Sequence, residues 1–343
     1  MNQLLSSFGL TNSQMRILFS LECYMSFHDA LQPESFASKL NPLKGKHEMK
    51  EKWCNKFRAS LYDFISEESN SKGTIEPTLY FSSQQITDAI SQESKKNDSD
   101  MWKYLILLEC SLFQPYFPFS EDAEDSKSFK KLKMADSSRE RMLKTFSDWL
   151  NISYDFVNEV TKTYEKTIKK MNGYWSKVLI GVGAGITASL LAVATGGGSI
   201  AALFASPGLY GAAAINSGLA ALGGGAIAAG GFGMAGGMAV LVGGGMLIGS
   251  GAGASVAMTI ASTNPTGLMM ETAKLYVMLK EIILGLNHDT QRAQEIIESV
   301  VDKIASYKKE IARLKTLISD NKEQIKNLKK SISYLEDFLK MAS

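Results

Sequence analysis

Residues 178–270 read VLIGVGAGITASLLAVATGGGSIAALFASPGLYGAAAINSGLAALGGGAIAAGGFGMAGGMAVLVGGGMLIGSGAGASVAMTIASTNPTGLMM. These 93 consecutive positions hold no Asp, Glu, Lys, Arg or His; Lys177 closes the run on one side and Glu271 on the other. An uncharged apolar run of about 18 residues already suffices for a transmembrane helix. At about 20 residues per pass, this run has the length for roughly three or four passes, or for two helical hairpins.

The glycines sharpen that reading. Of the chain's 29, 23 lie between Gly181 and Gly253, with triplets at 196–198, 223–225 and 243–245. A soluble helix avoids Gly, which costs about 1 kcal/mol relative to Ala. Between helices in lipid, small residues let backbones approach, and GxxxG spacing marks such contact faces. That spacing recurs at Gly181/Gly185, Gly233/Gly237, Gly245/Gly249 and Gly249/Gly253. Together with the mid-run apolar positions Leu222 and Val242, these glycines are the candidate membrane-inserting residues. A buried, all-apolar hairpin in a soluble protein is the competing reading of the same run.

Gly, Ala, Ser and Thr also dilute its hydrophobicity, and aromatic flanks are thin: Tyr174 and Trp175 precede it and Tyr210 lies within. Each pass is marginal on insertion scales. Marginal passes suit a segment shielded in a soluble form and inserted after assembly better than a constitutive anchor.

Outside the run the 343-residue chain is charged and balanced, with 37 basic and 35 acidic residues. That balance provides no field for direct nucleic-acid binding. Cys23, Cys54 and Cys110 are widely spaced, form no CxxC and read as reduced, buried thiols. The opening MNQLLSSFGL lacks both a basic n-region and a long apolar h-region, so no secretory signal is expected. The expectation is a cytoplasmic protein that later reaches the inner membrane.

No catalytic constellation emerges. His28, His47 and His288 lack ligand-spaced companions, so no metal site is expected. No GxxxxGK[ST] or GxSxG occurs. Gly249-Ser250-Gly251-Ala252-Gly253 mimics a dinucleotide fingerprint, but no strand is expected before it. The reading is therefore a non-enzyme without catalytic, cofactor-binding or metal-binding residues.

Residues 1–150 read as a helical domain. Thr11 and Ser13 are cap candidates for a helix over 12–30, with Met15, Ile17, Leu18, Leu21 and Met25 on its apolar face. Further helices are expected over 47–67, from Gln84, over 99–114 and over 136–150, with 119–136 an exposed loop. Residues 151–177 read as a basic amphipathic connecting helix. Its apolar stripe is Val157, Val160, Tyr164, Ile168, Met171 and Trp175, and Lys162, Lys166, Lys169, Lys170 and Lys177 approach the apolar run. Such lysines favour an anionic leaflet, although taken by themselves a solvated helix face is the better explanation.

Residues 271–343 read as a helix followed by a coiled coil. Ile297, Ile304, Ile311, Ile318, Ile325 and Ile332 recur every seven residues. Val300, Tyr307, Leu314, Asn321, Leu328 and Leu335 occupy the second seam position. Six heptads with only Asn321 breaking apolarity predict a coiled coil, and a polar seam residue sets register or partner. Ile-then-Leu favours a parallel dimer; antiparallel pairing with the 153–177 helix is equally open. The fold class expected is all-α.

DWLNISYDFVNEV (148–160) and YLILLECSLF (104–113) resemble parts of TerB-like helical domains. The resemblance covers at most residues 1–165, lacks that family's acidic metal-binding signature, and implies the bundle fold only. SGLAALGGGAIAAGGFGMAGG (217–237) is similar to glycine-rich segments of bacterial defence effectors that attack the cell's own membrane. The order of parts also resembles ClyA-type α-helical pore-forming toxins. The effector resemblance implies permeabilisation of the bacterial inner membrane in a defence or cell-death response. The implied partners are the lipid membrane and a second copy or a sensor subunit. The toxin resemblance implies a secreted protein acting on a target-cell membrane. A resident membrane scaffold that docks partners through its coiled coil is the alternative of another class.

Overall fold

The computed structural model describes residues 10–31, 44–72, 79–113, 115–116, 123–129, 131–171, 265–317 and 321–343. Every regular element among them is helical, which agrees with the all-α expectation. The chain divides into two compact units. In the described residues these are 10–157, and 158–171 with 265–343.

The first unit is built on α1 (Asn12–Ala30), which packs against α2 (Lys44–Lys72), α3 (Ser83–Lys96), α4 (Met101–Leu112) and α6 (Asp136–Leu150). Helix α1 is buried nearly all round: Ile17, Leu18, Phe19, Ser20, Leu21, Glu22 and Cys23 are within 5% of full burial. A helix buried on every side needs no apolar stripe. Its start is set by a capping box, in which Thr11 Oγ1 accepts from Gln14 N and Gln14 Oε1 accepts from Thr11 N. Ser82 and Gln85 form the same device at α3.

The loop expected over 119–136 contains a short helix, α5 (Ala123–Phe129). Two tethers pull it in: Phe129 is wholly buried, and Asp125 takes ion pairs from Lys52 (2.6 Å) and Lys56 (3.0 Å) of α2. After α6, Asn151 adopts the left-handed conformation (φ 56°) that ends a helix, and Asp155 N donates to Ser153 Oγ as α7 (Asp155–Met171) begins.

The second unit contains most of α7, then α8 (Pro265–Val277), a π-helical continuation (Met278–Leu284), α9 (Thr290–Thr316) and α10 (Lys322–Ala342). Pro265 opens α8, where its missing N–H costs nothing. Residues 265–270, the end of the uncharged run, therefore belong to a folded helix, with Leu268 and Met269 buried. Gly285 ends the π segment, and Leu286 N and Asn287 N both donate to Ile282 O.

Candidate membrane-engaging site

Nine of the sequence-assigned positions lie outside the described residues: Gly181, Gly185, Leu222, Gly233, Gly237, Val242, Gly245, Gly249 and Gly253. The described residues that flank the run in sequence are α7, which ends at Met171, and α8, which begins at Pro265. Among the described residues no helix is long and apolar enough to cross a membrane, and no group of three or more His, Cys, Asp or Glu could hold a metal ion.

Helix α7 precedes the run in sequence. Val160, Tyr164, Ile168 and Met171 are buried, while Lys162, Lys166 and Lys170 are exposed and Lys169 is half-buried. The stripe and the basic face are thus opposite sides of one helix. Thr163 fixes α7 to the π segment: its Oγ1 donates to Glu281 Oε1 at 2.5 Å, and Lys280 Nζ donates to the same carboxylate at 2.6 Å.

On the other side of the run, α8 packs along α10. Tyr276, near the end of α8, donates its hydroxyl to Met341 O at 3.2 Å and stands edge-on to Phe338. Helix α10 stops at Ala342, so the earlier turns of α8 can only lie on the earlier turns of α10. The two helices therefore run parallel. Pro265 precedes Tyr276 by 276 − 265 = 11 residues, or about 16 Å at 1.5 Å per residue. The uncharged run thus joins α8 level with Asn327–Lys330 of α10.

The seven-residue seam is interrupted. Helix α9 ends with Leu317 extended (ψ 147°), and α10 restarts after Asn321. Ser319, Asp320 and Asn321 compete for backbone hydrogen bonds and favour turns over helix interiors. Asn321 is half-buried at the N-cap position of α10, and its Nδ2 donates to Leu314 O at 3.2 Å, serving a free carbonyl of α9. Helices joined by so short a link and still packed together are antiparallel neighbours.

On α9 the structure buries Ile304, Ile311 and Leu314 of the seam, with Val300 and Tyr307, and on α10 it buries Leu328, Ile332 and Leu335. Ile297 and Ile325 are half-buried and Ile318 lies outside the described residues. Outside the heptad frame, Ile296, Ser331, Tyr334 and Phe338 are buried as well. They widen the stripe for contact with more than one neighbour, and α8 and the π segment are those neighbours. The partners nearest to hand for the stripe are thus in the same chain.

In the first unit the three cysteines are free and buried. Burial pushes the Cys54 thiol up to about 12, with the Asp29 carboxylate adding to the effect. Cys23 and Cys110 are raised too, by burial first and by Glu22 next. Thiols so poor in thiolate are inert toward electrophiles and metals. A buried polar knot missed by sequence reasoning centres on Asp29. Its carboxylate accepts from Lys50 Nζ and Tyr116 Oη, both at 2.6 Å, and from Ala135 N at 3.1 Å. Burial and the Asp29 charge hold the Tyr116 phenol protonated, far above its ordinary range. Tyr116 sits at φ 67°, a conformation bulky residues rarely adopt. Every partner here serves another group of the knot, so it is a packing device and offers no reactive atom.

No protein-family model, curated protein or solved structure matches the chain.

Proposed function

We propose that the protein is a membrane-disrupting effector. It inserts part of its Gly/Ala-rich segment as packed helices and makes the bacterial inner membrane leaky, in a defence or cell-death response. One observation carries the reading: 93 consecutive uncharged residues rich in GxxxG spacing, entered from a helix with a basic face and left through a helix in a folded unit. In lipid, backbone groups must be satisfied within the segment, which leaves helices as the solution for such a run. Small residues then let those helices pack.

The protein waits in the cytoplasm and reaches the membrane when a sensor subunit or a second copy engages it. The α9–α10 hairpin, read as a coiled-coil element, is where such a partner acts. The resemblances to TerB-like domains and to glycine-rich effectors agree with this order of parts.

The test is a charge placed in mid-segment, which costs about 2.5–3.5 kcal/mol at a bilayer centre. Leu222→Asp and Val242→Asp are expected to abolish dye release from liposomes and depolarisation in cells, with far-UV circular dichroism unchanged. Variants as leaky as the wild type would sink the proposal. Constant residence in the membrane fraction without leakage would favour the resident scaffold.

A further inference from the structure

The α9–α10 hairpin is electrically polarised along its length. Residues 308–330, around the link, carry 8 basic and 3 acidic side chains, a net of 8 − 3 = +5. Residues 289–307 with 331–343, at the open end, carry 3 basic and 6 acidic ones, a net of 3 − 6 = −3. All eight basic side chains of the tip are exposed. Lys309, Lys315, Lys326 and Lys329 have no ion-pair partner among the described residues. Leu317, beside them at the end of α9, is 44% exposed.

The tip is also placed with respect to the uncharged run. Helix α8 runs parallel to α10, so the run enters the unit at Pro265, level with Asn327–Lys330 and so with the basic end of the hairpin. The acidic end lies with Tyr276 and the π segment, away from that junction. A solvated face would scatter its charges over both ends. Here positive charge and an exposed leucine gather where the apolar chain joins, which is the pattern of a surface that meets anionic headgroups.

We infer that the link end of the α9–α10 hairpin is a docking surface for anionic phospholipid. It holds the unit with the root of the uncharged run against the leaflet. This rests on the proposed membrane function but concerns binding and not leakage.

Each basic residue held near an anionic leaflet strengthens binding about fivefold. The full-length variant with Lys309, Lys315, Lys326 and Lys329 all changed to Gln is compared with the wild type by co-sedimentation. The probes are phosphatidylcholine vesicles and vesicles of phosphatidylcholine mixed with phosphatidylglycerol. The wild type is expected to prefer the mixed vesicles and to lose them as salt rises. The quadruple Gln variant is expected to bind them about six-hundredfold more weakly, fivefold for each of the four residues. Changing the same four residues to Arg should keep wild-type binding, as should Glu295→Gln with Glu298→Gln at the open end. The inference is overturned if the Gln variant binds mixed vesicles like the wild type, if wild-type binding ignores lipid charge or salt, or if duplex DNA binds the tip more tightly than the vesicles do. Leu222→Asp separates the two proposals: it should lose leakage and keep binding. A wild type that binds mixed vesicles but never leaks would end the effector reading and leave this surface standing.

Discussion

Both units bury hydroxyls, but they differ in the carboxylates they bury. The first buries the carboxylates of Glu22, Asp29, Glu93, Glu109 and Asp125. The described part of the second buries none, and buries the hydroxyls of Thr163, Thr167, Thr272 and Ser331. Several of those hydroxyls are satisfied inside their own helix: Thr167 donates to Thr163 O and Thr272 to Leu268 O. Asp29, by contrast, is satisfied by Tyr116, 87 positions away, and by Ala135 N, 106 away. Both units carry long-range polar contacts, Thr163 Oγ1 to Glu281 being one in the second, but among the described residues only the first gathers them on a buried carboxylate, while the second leans on a repeated apolar stripe whose loss at any one position is graded.

The sharpest way to break that contrast is Asp29→Ala. It strands the Lys50 ammonium and the Ala135 N–H and leaves the Tyr116 hydroxyl only Ser26 O, at 3.2 Å; removing one partner of a buried pair costs about 3–5 kcal/mol. Trp53, Trp102 and Trp149 all lie in the first unit, so tryptophan fluorescence in urea should report the loss there. A cost below about 1 kcal/mol would show that the knot is dispensable.

The second unit should answer to the depth of each seam residue. Leu328 is fully buried, and Leu328→Ala is expected to cost about 2–5 kcal/mol. Ile297 is only half-buried, and Ile297→Ala should cost less than half as much. Equal costs in thermal unfolding followed at 222 nm would mean that the heptad positions are equivalent, as in a continuous two-stranded rod. That outcome would contradict the interrupted, multi-sided packing.

This difference also explains what the sequence made legible. Periodicity reveals a stripe, so the α7 face, the α9–α10 seam and the all-helical class are readable from spacing alone. Caps are local, so Thr11 and Ser153 are readable too. Periodicity carries no information about pairs such as Asp29 and Tyr116, nor about Phe129, whose burial makes a helix from a stretch that looks polar. The seam itself misleads in one respect. A seven-residue period runs unbroken through Ile318 and Ile325, because a hairpin whose turn preserves the phase looks identical to a rod. The Ser-Asp-Asn run at 319–321 is the signal that could have placed the break. The nine membrane-inserting positions rest on composition, and composition is where their assignment stays.

The π segment gives a smaller test inside the second unit. A Cβ at Gly285 would stand 2.7 Å from Glu281 O and 2.9 Å from Lys280 O, both backbone atoms that move only with the helix. Gly285→Ala is expected to destabilise by about 1–3 kcal/mol despite the better helix propensity of Ala. An unchanged or raised melting temperature would show that the segment converts to ordinary helix at no cost.

The smallest effect has the opposite sign. Lys303 on α9 is half-buried, without an ion-pair partner among the described residues, and loss of water draws it from an ordinary value of 10.5 down to about 8. Between about pH 8 and 10.5 the unfolded chain holds a proton on this lysine that the folded chain has released. The unfolded state then binds more protons, so stability rises with pH across that window. The contribution is complete above the unfolded value and is lost as pH falls through about 8. At neutral pH the folded protein carries a charge that its surroundings disfavour. Lys303→Met keeps the length of the side chain and removes the charge, so it is expected to stabilise by about 1 kcal/mol at pH 7. It should also flatten the rise between pH 8 and 10.5 in urea titrations read by circular dichroism. The pH slope is the decisive reading, because a gain in packing alone would leave it in place. If the slope survives in the Met variant, or if the variant is less stable than the wild type at pH 7, the lysine has a compensating partner. The second unit would then share the polar logic of the first.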